Sequence, residues 1–245
     1  MNMYRKLSIL IIILTFSCTH VNHREEDTEK ENKPEIIIKR RDDGTLSSIN
    51  QVEDGGVVNG TRTTYYRDGK TVYSRLTFKH GIKHGISIRY YNNGQIYEHA
   101  NYTDGKKSGL SRKYYKDGKL LSECEYEKGN PKPGLKEYHK DGSLVTSYPT
   151  VNFREINLLE SKNRIDLEIS CTKKSDGVKF YLLEHDGEET SRIYLITENG
   201  SASQRYYLRP GEKIDRKIEL LVEIPTELGN TMVRTLTYQL SAEHL

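Results

Sequence analysis

The amino-acid sequence predicts an all-β protein, with an array of about five antiparallel β-hairpin repeats followed by a small β-sandwich. Three series of glycines recur every 24 or 25 residues between residues 35 and 149. Beyond residue 152 this period is lost, and short β-rich runs alternate with turn signals. The chain has 18 Tyr but no Trp and four Phe. Tyr suits half-buried strands, where the ring packs and the hydroxyl stays hydrated.

The first residues of the chain predict export. Arg5 and Lys6 precede an apolar run from Leu7 to Phe16. A membrane-spanning helix needs about 20 apolar residues, so this run is too short to span and is typical of a secretory signal.

A cysteine follows the apolar run. Ser17 precedes Cys18, and this pattern resembles a bacterial lipoprotein signal, which implies that Cys18 becomes the lipid-modified first residue. An ordinary cleaved signal and an uncleaved anchor are the alternatives. We expect a signal peptide over 1–17 and a disordered tether over 18–34, which has too few apolar residues to order itself. The expected location is the cell envelope, with a lipid anchor in a bacterial membrane on its periplasmic or surface side.

The net charge of the exported chain does not indicate a class of partner. Removal of the two basic residues of the signal lowers the formal net charge from +3 to +1. Such a balance produces no global field toward nucleic acid or a membrane surface. We therefore expect no nucleic-acid partner, and membrane contact only through the lipid.

The glycines mark chain reversals. The three series lie at Gly44, Gly69, Gly94, Gly118 and Gly142; at Gly56, Gly81, Gly105 and Gly129; and at Gly60, Gly85, Gly109 and Gly134. In the first series Asn or Asp precedes Gly, which predicts a tight hairpin turn with positive φ. The Gly-x-x-x-Gly element then connects to the next unit, where glycine serves backbone conformation.

The strand after each predicted turn alternates with a period of two. The positions expected to pack together are Val72, Ser74, Leu76 and Phe78; Ile96, Glu98, Ala100 and Tyr102; and Leu120, Ser122, Cys124 and Tyr126. The opposite face, which carries Arg75, Glu123 and Glu125, is expected to be solvated.

Paired tyrosines end the strand before each turn. They are Tyr65-Tyr66, Tyr90-Tyr91 and Tyr114-Tyr115, with Arg40-Arg41 and Tyr138-His139 in the end units. Adjacent strand residues point to opposite faces, so we expect one Tyr of each pair to pack inward and the other to stand on the outer face. With Arg89 and Arg112 nearby, these tyrosines have the composition of a protein-binding hot spot and also suit sugar rings. The alternative is cross-strand packing that stabilises the sheet.

Two stretches carry a family resemblance. FKHGIKHGISIRYY (78–91) and YTDGKKSGLSRKYY (102–115) have an aromatic residue, Gly-x-x-x-Gly and a paired aromatic. They resemble the MORN-type repeat, in the bacterial variant grouped with the YwqK family of antitoxin-like proteins. The resemblance covers about residues 35–149 and implies a twisted sheet of hairpins that serves as a scaffold or binding surface. GNPKPG (129–134) departs by one extra residue and two prolines, so we expect the array to bend or end there.

The last segment predicts a second β region over 152–245. Six β-rich runs lie at 165–170, 178–183, 192–197, 204–208, 217–224 and 233–241. Short strands at this spacing are typical of a sandwich. Its likeness to the immunoglobulin fold is topological at most, because there is no Cys-Trp-Cys signature.

The sequence contains no recognisable catalytic constellation. His80 and His84 are expected to be loop histidines without a metal, since no second group of ligands follows them. The Gly-x-x-x-Gly elements lie between strands, whereas a nucleotide loop precedes a helix. Cys124 and Cys171 are expected to be separate buried thiols, with a disulfide as the alternative. We expect no enzyme activity, no metal and no cofactor.

Three functional hypotheses follow. The first is a cell-envelope lipoprotein that binds a protein or glycan partner through its repeat sheet. The alternative is an antitoxin-like or immunity protein that neutralises a toxin. A hydrolase with a site at the junction between the two β regions is the third.

Overall fold

The computed structural model describes residues 34–245, which form one compact unit. The predicted signal peptide, Cys18 and all but the last residue of the predicted tether lie outside these residues. Within the described part of the chain, no helix is long and apolar enough to span a bilayer.

The described residues are almost entirely β, which confirms the predicted fold class. The first ten strands are β1 (Glu35–Arg40), β2 (Leu46–Val52), β3 (Val58–Tyr65), β4 (Val72–Lys79), β5 (Ile82–Tyr90), β6 (Ile96–Thr103), β7 (Lys106–Tyr114), β8 (Leu120–Glu127), β9 (Asn130–Pro131) and β10 (Lys136–Glu137). They form one antiparallel sheet, here called the repeat sheet, in which β1 to β8 pair in chain order and β8 also pairs with β9 and β10.

The remaining strands form two further sheets. They are β11 (Val151–Leu158), β12 (Arg164–Cys171), β13 (Lys179–Asp186), β14 (Glu189–Leu195), β15 (Ser201–Tyr207), β16 (Lys213–Pro225) and β17 (Thr231–Glu243), with one helical turn, α1 (Leu159–Lys162). One sheet has the order β11-β12-β15 and the other the order β14-β13-β16-β17. An apolar cluster that joins Ile165 and Leu167 to Phe180 and Leu220 lies between them, so the two sheets form the predicted sandwich.

The repeat sheet uses two kinds of turn in alternation, which the prediction of tight turns with positive φ did not distinguish. At the Asn-Gly loop, Tyr91 N–H donates to Gln95 O at 2.8 Å and Gly94 has φ +83°, whereas Asn93 is not among the positive-φ residues. This is a three-residue loop with one left-handed glycine. The two-residue turn lies instead at Asp104-Gly105, where both residues have positive φ (48° and 79°), as a type I′ turn requires.

The glycine of the third series lies inside a strand. Leu76 pairs with Ser87 and Phe78 pairs with Lys83, so β5 has two more residues than β4 over this interval. Gly85, with φ +82°, lies in the resulting bulge. Equivalent irregularities occur in β3 and β7, and bulges of this kind increase the local twist of a sheet.

The repeat sheet buries one face, here called the inner face. Its floor is made of small side chains, and these are Ser74, Ser87, Ala100, Ser111, Ser122 and Cys124, all buried. The prediction that Ser74, Ala100 and Cys124 pack inward is confirmed. Ile96, assigned to the same face, is 37% exposed, because it lies beside the hairpin loop, where the register shifts.

The sandwich docks on the inner face at the last repeat. The loop between β16 and β17 (226–230) makes the contacts: Gly229 O accepts a hydrogen bond from Lys113 Nζ at 3.2 Å, and Asn230 Nδ2 donates to Glu137 Oε1 at 2.6 Å. Leu135 packs against the apolar cluster of the sandwich. The domain limits of 35–149 and 152–245 stay predictions, since the two regions belong to one compact unit.

Candidate functional site

The second tyrosine of each pair joins successive repeats. Its hydroxyl donates a hydrogen bond to a main-chain carbonyl one period further along the chain. These bonds are Tyr66 Oη to Tyr90 O at 2.7 Å, Tyr91 Oη to Tyr114 O at 2.8 Å and Tyr115 Oη to Tyr138 O at 2.7 Å. We call Tyr66, Tyr91 and Tyr115 the tyrosine ladder. The first tyrosine of each pair supplies the accepting carbonyl.

An arginine replaces tyrosine in the first unit and keeps the bond. Arg41 Nη2 donates to Tyr65 O at 2.8 Å, over a separation of 24 residues. The sequence places Arg40-Arg41 at the position of a tyrosine pair but does not by itself reveal this role. The signal was the period itself, since Arg41 precedes Tyr66 by one repeat.

The ladder tyrosines are half-buried. Tyr66 packs edge-on against Tyr73 and Tyr91 packs against Tyr97, each at 5.2 Å between ring centroids. Burial raises the pKa of all three ladder hydroxyls. Tyr65, Tyr90 and Tyr114 are half-buried as well, so burial does not separate an inward-packed tyrosine from an outer one in each pair. The ladder hydroxyls are therefore occupied, and only ring surfaces are open to a partner.

An open cavity of about 300 Å³ lies between two ladder tyrosines. Tyr91 and Tyr115 line it, together with Lys116, Asp117 and Lys140. Lys116 Nζ lies 5.9 Å from the centroid of the Tyr91 ring. Aromatic ring faces beside ammonium groups suit an acidic sugar or an acidic side chain.

Basic side chains lie over aromatic rings on the inner face. Lys83 Nζ is 5.3 Å from the Tyr102 ring centroid, and Lys107 Nζ is 4.5 Å from that of Tyr126. The two pairs are 24 residues apart at both members. Two arginines do the same, Arg62 over Phe78 at 4.9 Å and Arg89 over Tyr97 at 5.3 Å.

The predicted arginines lie on opposite faces. Arg89 pairs with Glu98 across the strands, on the inner face. Arg112 follows the buried Ser111, so it points to the other face, where its Nε donates to Glu123 Oε1 at 2.7 Å. We call the basic side chains of the inner face the inner basic row; they are Arg62, Lys83, Arg89 and Lys107. Arg112 lies outside this row.

Glu98 is a buried acid on the inner face. Its side chain is 3% exposed and accepts hydrogen bonds from Lys107 Nζ at 2.7 Å and from Arg89 Nε at 3.0 Å. Burial by itself would raise the pKa of Glu98, but the bonds from Lys107 and Arg89 outweigh it and hold that pKa below its ordinary value. The sequence pattern correctly predicted that Glu98 lies on the packed face, but it did not predict the ion pairs with Arg89 and Lys107.

Neither His80 nor His84 belongs to a cluster of metal-ligating side chains among the described residues. His80 lies in a type I′ turn and its Nδ1 is 2.9 Å from Glu53 Oε2. His84 lies in β5 rather than in a loop, with Nδ1 3.7 Å from Asp104 Oδ1. In the part of the chain that the structure describes, no group of three or more His, Cys, Asp or Glu residues is arranged to hold a metal.

The two described cysteines lie in different regions. Cys124 is in β8 of the repeat sheet and Cys171 is in β12 of the sandwich, and both are buried and free. Burial raises the pKa of the Cys124 thiol.

The predicted turn glycines all have positive φ. They are Gly69, Gly94, Gly118 and Gly142 in the three-residue type of loop, Gly81 and Gly105 in the two-residue turns, and Gly85 and Gly109 in the bulges. They shape the sheet, and Gly85 and Gly109 pair with Tyr102 and Tyr126, the tyrosines that lie under Lys83 and Lys107.

Comparison with known proteins identifies the repeat. Two adjacent segments, residues 83–104 and 107–128, match the family model of the MORN repeat variant. They correspond to the hairpins β5–β6 and β7–β8. No curated protein and no solved structure matches the chain.

Proposed function

We propose that this chain, which contains two adjacent MORN-variant repeats, is a non-catalytic scaffold of the bacterial cell envelope, anchored by lipid at Cys18. Its repeat sheet binds a protein or glycan partner. The anchor is inferred from the sequence of residues 1–18. The binding role is inferred from the inner face of the sheet.

The observation that carries the binding role is the inner basic row. Lys83 and Lys107 lie over tyrosine rings, and Arg62 lies over Phe78. Arg62 and Lys83 are half-exposed, so their cationic ends are accessible to a partner. Lys107 is 16% exposed and bonds Glu98. Glu98 offsets only part of this charge. A partner that fits this face presents carboxylates, either from acidic side chains or from acidic sugars.

The ladder has a supporting role in this proposal. Its hydroxyls fix the spacing of successive repeats, so the basic side chains recur at a constant interval. A surface of this kind matches a ligand that is itself extended and repeats its charges.

Substitution on the two faces tests the binding role. The variant Arg62→Ala/Lys83→Ala removes two inner basic side chains that do not bond Glu98. The control Arg75→Ala/Lys79→Ala removes two exposed basic side chains from β4. Partners are captured by crosslinking in the native cell and then identified. We expect a partner that is lost from the inner-face variant and kept by the control. Retention of every partner by both variants contradicts the proposal.

The anchor has a separate test. Cys18→Ser removes the thiol that would carry the lipid. We expect the variant to leave the membrane fraction and to lose labelling by a radioactive fatty acid. If the variant stays with the membrane and is still labelled, lipidation at Cys18 is wrong, whatever the outcome for partner binding.

Neutralisation of a toxin is the alternative function. It would use the same face of the sheet, and the partner identified by crosslinking distinguishes it. A small toxic protein encoded next to this gene favours the alternative.

A further inference from the structure

A cavity of about 310 Å³ lies where the last repeat meets the sandwich. Its walls come from segment 145–149 and loop 225–228, with Glu137 and His139 from the last repeat and Lys173 from the sandwich. Its volume is at the lower end of the range for small-molecule sites.

A buried carboxylate lies in the lining of this cavity. Glu137 is 1% exposed. Its Oε1 accepts hydrogen bonds from Thr226 Oγ1 and Asn230 Nδ2, both at 2.6 Å. Both donors are neutral, and both reach the same oxygen.

Comparison with the buried acid of the repeat sheet shows what Glu137 lacks. Glu98 is bound by two cations, Arg89 and Lys107. Among residues 34–245 no lysine, arginine or histidine lies within ion-pair distance of Glu137. A buried carboxylate is costly unless a cation and hydrogen bonds compensate for its lost hydration.

The hydroxyl of Tyr148 is a second buried polar group near this carboxylate. It is buried beside the Glu137 carboxylate, but no hydrogen bond of good geometry joins this hydroxyl to a group of residues 34–245. It lies close enough to Glu137 that, after burial itself, the charge of this carboxylate is the next contribution to the raised pKa of Tyr148. An ammonium group has three N–H donors, so one such group satisfies both a carboxylate oxygen and a phenol oxygen.

The rest of the wall is mixed, with His139, Thr146 and Ser147 beside four apolar residues. The apolar residues are Val145, Pro149, Pro225 and Leu228. The other acid of the lining, Glu227, is exposed and forms an ion pair with Lys173 at 3.1 Å. Glu137 is thus the acid that remains without a cation.

We propose that the junction cavity binds a primary ammonium group carried on an aliphatic stem. The ammonium lies between Glu137 and Tyr148, and the stem packs against the prolines and Leu228. The source of this group is a lysine side chain of a partner protein or a free alkylamine. This site is separate from the inner basic row, which favours the opposite charge.

Calorimetric titration of the full mature chain tests the proposal with three probes. They are n-pentylamine, its neutral analogue n-pentanol, and Nα-acetyl-lysine N-methylamide. We expect saturable binding of an amine and binding of the alcohol weaker by about tenfold or more, because a hydrogen bond to a charged group is the stronger kind. Tighter binding of the lysine derivative assigns the site to a protein lysine, and preference for pentylamine assigns it to a free amine. No saturable binding of either amine overturns the proposal.

Two variants locate the binding. Glu137→Gln keeps an oxygen for Thr226 and Asn230 but removes the charge, so the fold is retained and amine affinity falls by about tenfold or more. Tyr148→Phe gives a smaller fall and guards against misfolding of the first variant. Glu125→Gln, exposed on the repeat sheet, is the matched control. Amine binding that is unchanged in both Glu137→Gln and Tyr148→Phe contradicts the proposal.

Discussion

The repeat sheet and the sandwich are both antiparallel β structure, but they bury different chemistry. In the sandwich, Ile165, Leu167 and Phe180 are fully buried between two sheets. In the repeat sheet the buried floor is mostly serine and alanine, and long side chains of the same sheet cover it. The sandwich is therefore held mainly by apolar burial between layers. The repeat sheet has a small apolar cluster of Val52, Val58 and Phe78, and its units are joined by hydrogen bonds that recur with the period of the sequence.

The largest expected loss of unfolding free energy comes from a core substitution in the sandwich. Phe180→Ala removes a fully buried ring from the apolar cluster, and large-to-small changes of this kind cost about 3–5 kcal/mol. Urea unfolding followed by circular dichroism measures the loss. The control Ile193→Ala changes a half-exposed residue of the neighbouring strand and should cost far less. Equal losses in the two variants would remove the distinction between core and surface in this region.

The next effect acts on the backbone of the repeat sheet. Gly94 has φ +83° and open space around it, so Gly94→Val should cost about 1–2 kcal/mol through left-handed strain alone. Gly69 has φ +65°, and a Cβ there would lie 2.8 Å from Leu46 N. Gly69→Val should therefore cost more than Gly94→Val. A thermal-melt series that reverses this order is incompatible with the loop geometry.

A smaller effect tests the tyrosine ladder. Tyr91→Phe removes the hydroxyl that donates to Tyr114 O, at an expected cost of about 1 kcal/mol. Tyr90→Phe is the matched control, since Tyr90 contributes its carbonyl to the ladder. Urea unfolding of both variants measures the difference. If Tyr90→Phe costs as much as Tyr91→Phe, the inter-repeat bond is not the source of the loss.

The smallest effect is a pH dependence that comes from Glu98 in the repeat sheet. The pKa of Glu98 is lowered in the folded state, so its ion pairs stabilise the fold above the unfolded pKa of about 4.3. This contribution is lost as the pH falls through the lower, folded pKa. Unfolding free energies of the native chain and of Glu98→Gln, measured below about pH 5, should converge as the pH decreases. A difference that is constant over this range contradicts the assignment.

Features that follow from the local repeat period could be predicted from the sequence. Features that depend on side-chain contacts with other parts of the chain could not. Glycine spacing located the reversals and alternation located Ala100 and Cys124 on the packed face, because both follow from backbone geometry. The two kinds of turn could not be distinguished, since a three-residue and a two-residue loop share the same Asx-Gly signal. β11 lay outside the predicted runs, because Arg154 and Glu155 interrupt its apolar alternation.

The candidate sites were harder to predict than the fold. The tyrosine pairs were found as a motif, but their half-buried state and the carbonyls that accept their hydrogen bonds depend on the next repeat. Glu98 and Glu137 look alike in sequence, each being an acid in a strand. Only the folded chain shows that one has two cations and the other has none.

The ladder bonds all run in one direction along the chain, from a side chain in one unit to a carbonyl in the following unit. Each requires only a donor of sufficient reach, as Arg41 shows. Insertion or deletion of a whole unit therefore leaves every junction chemically equivalent to those already present. Gene duplication in steps of about two dozen codons can lengthen or shorten this protein during evolution while each ladder bond keeps a donor and an acceptor.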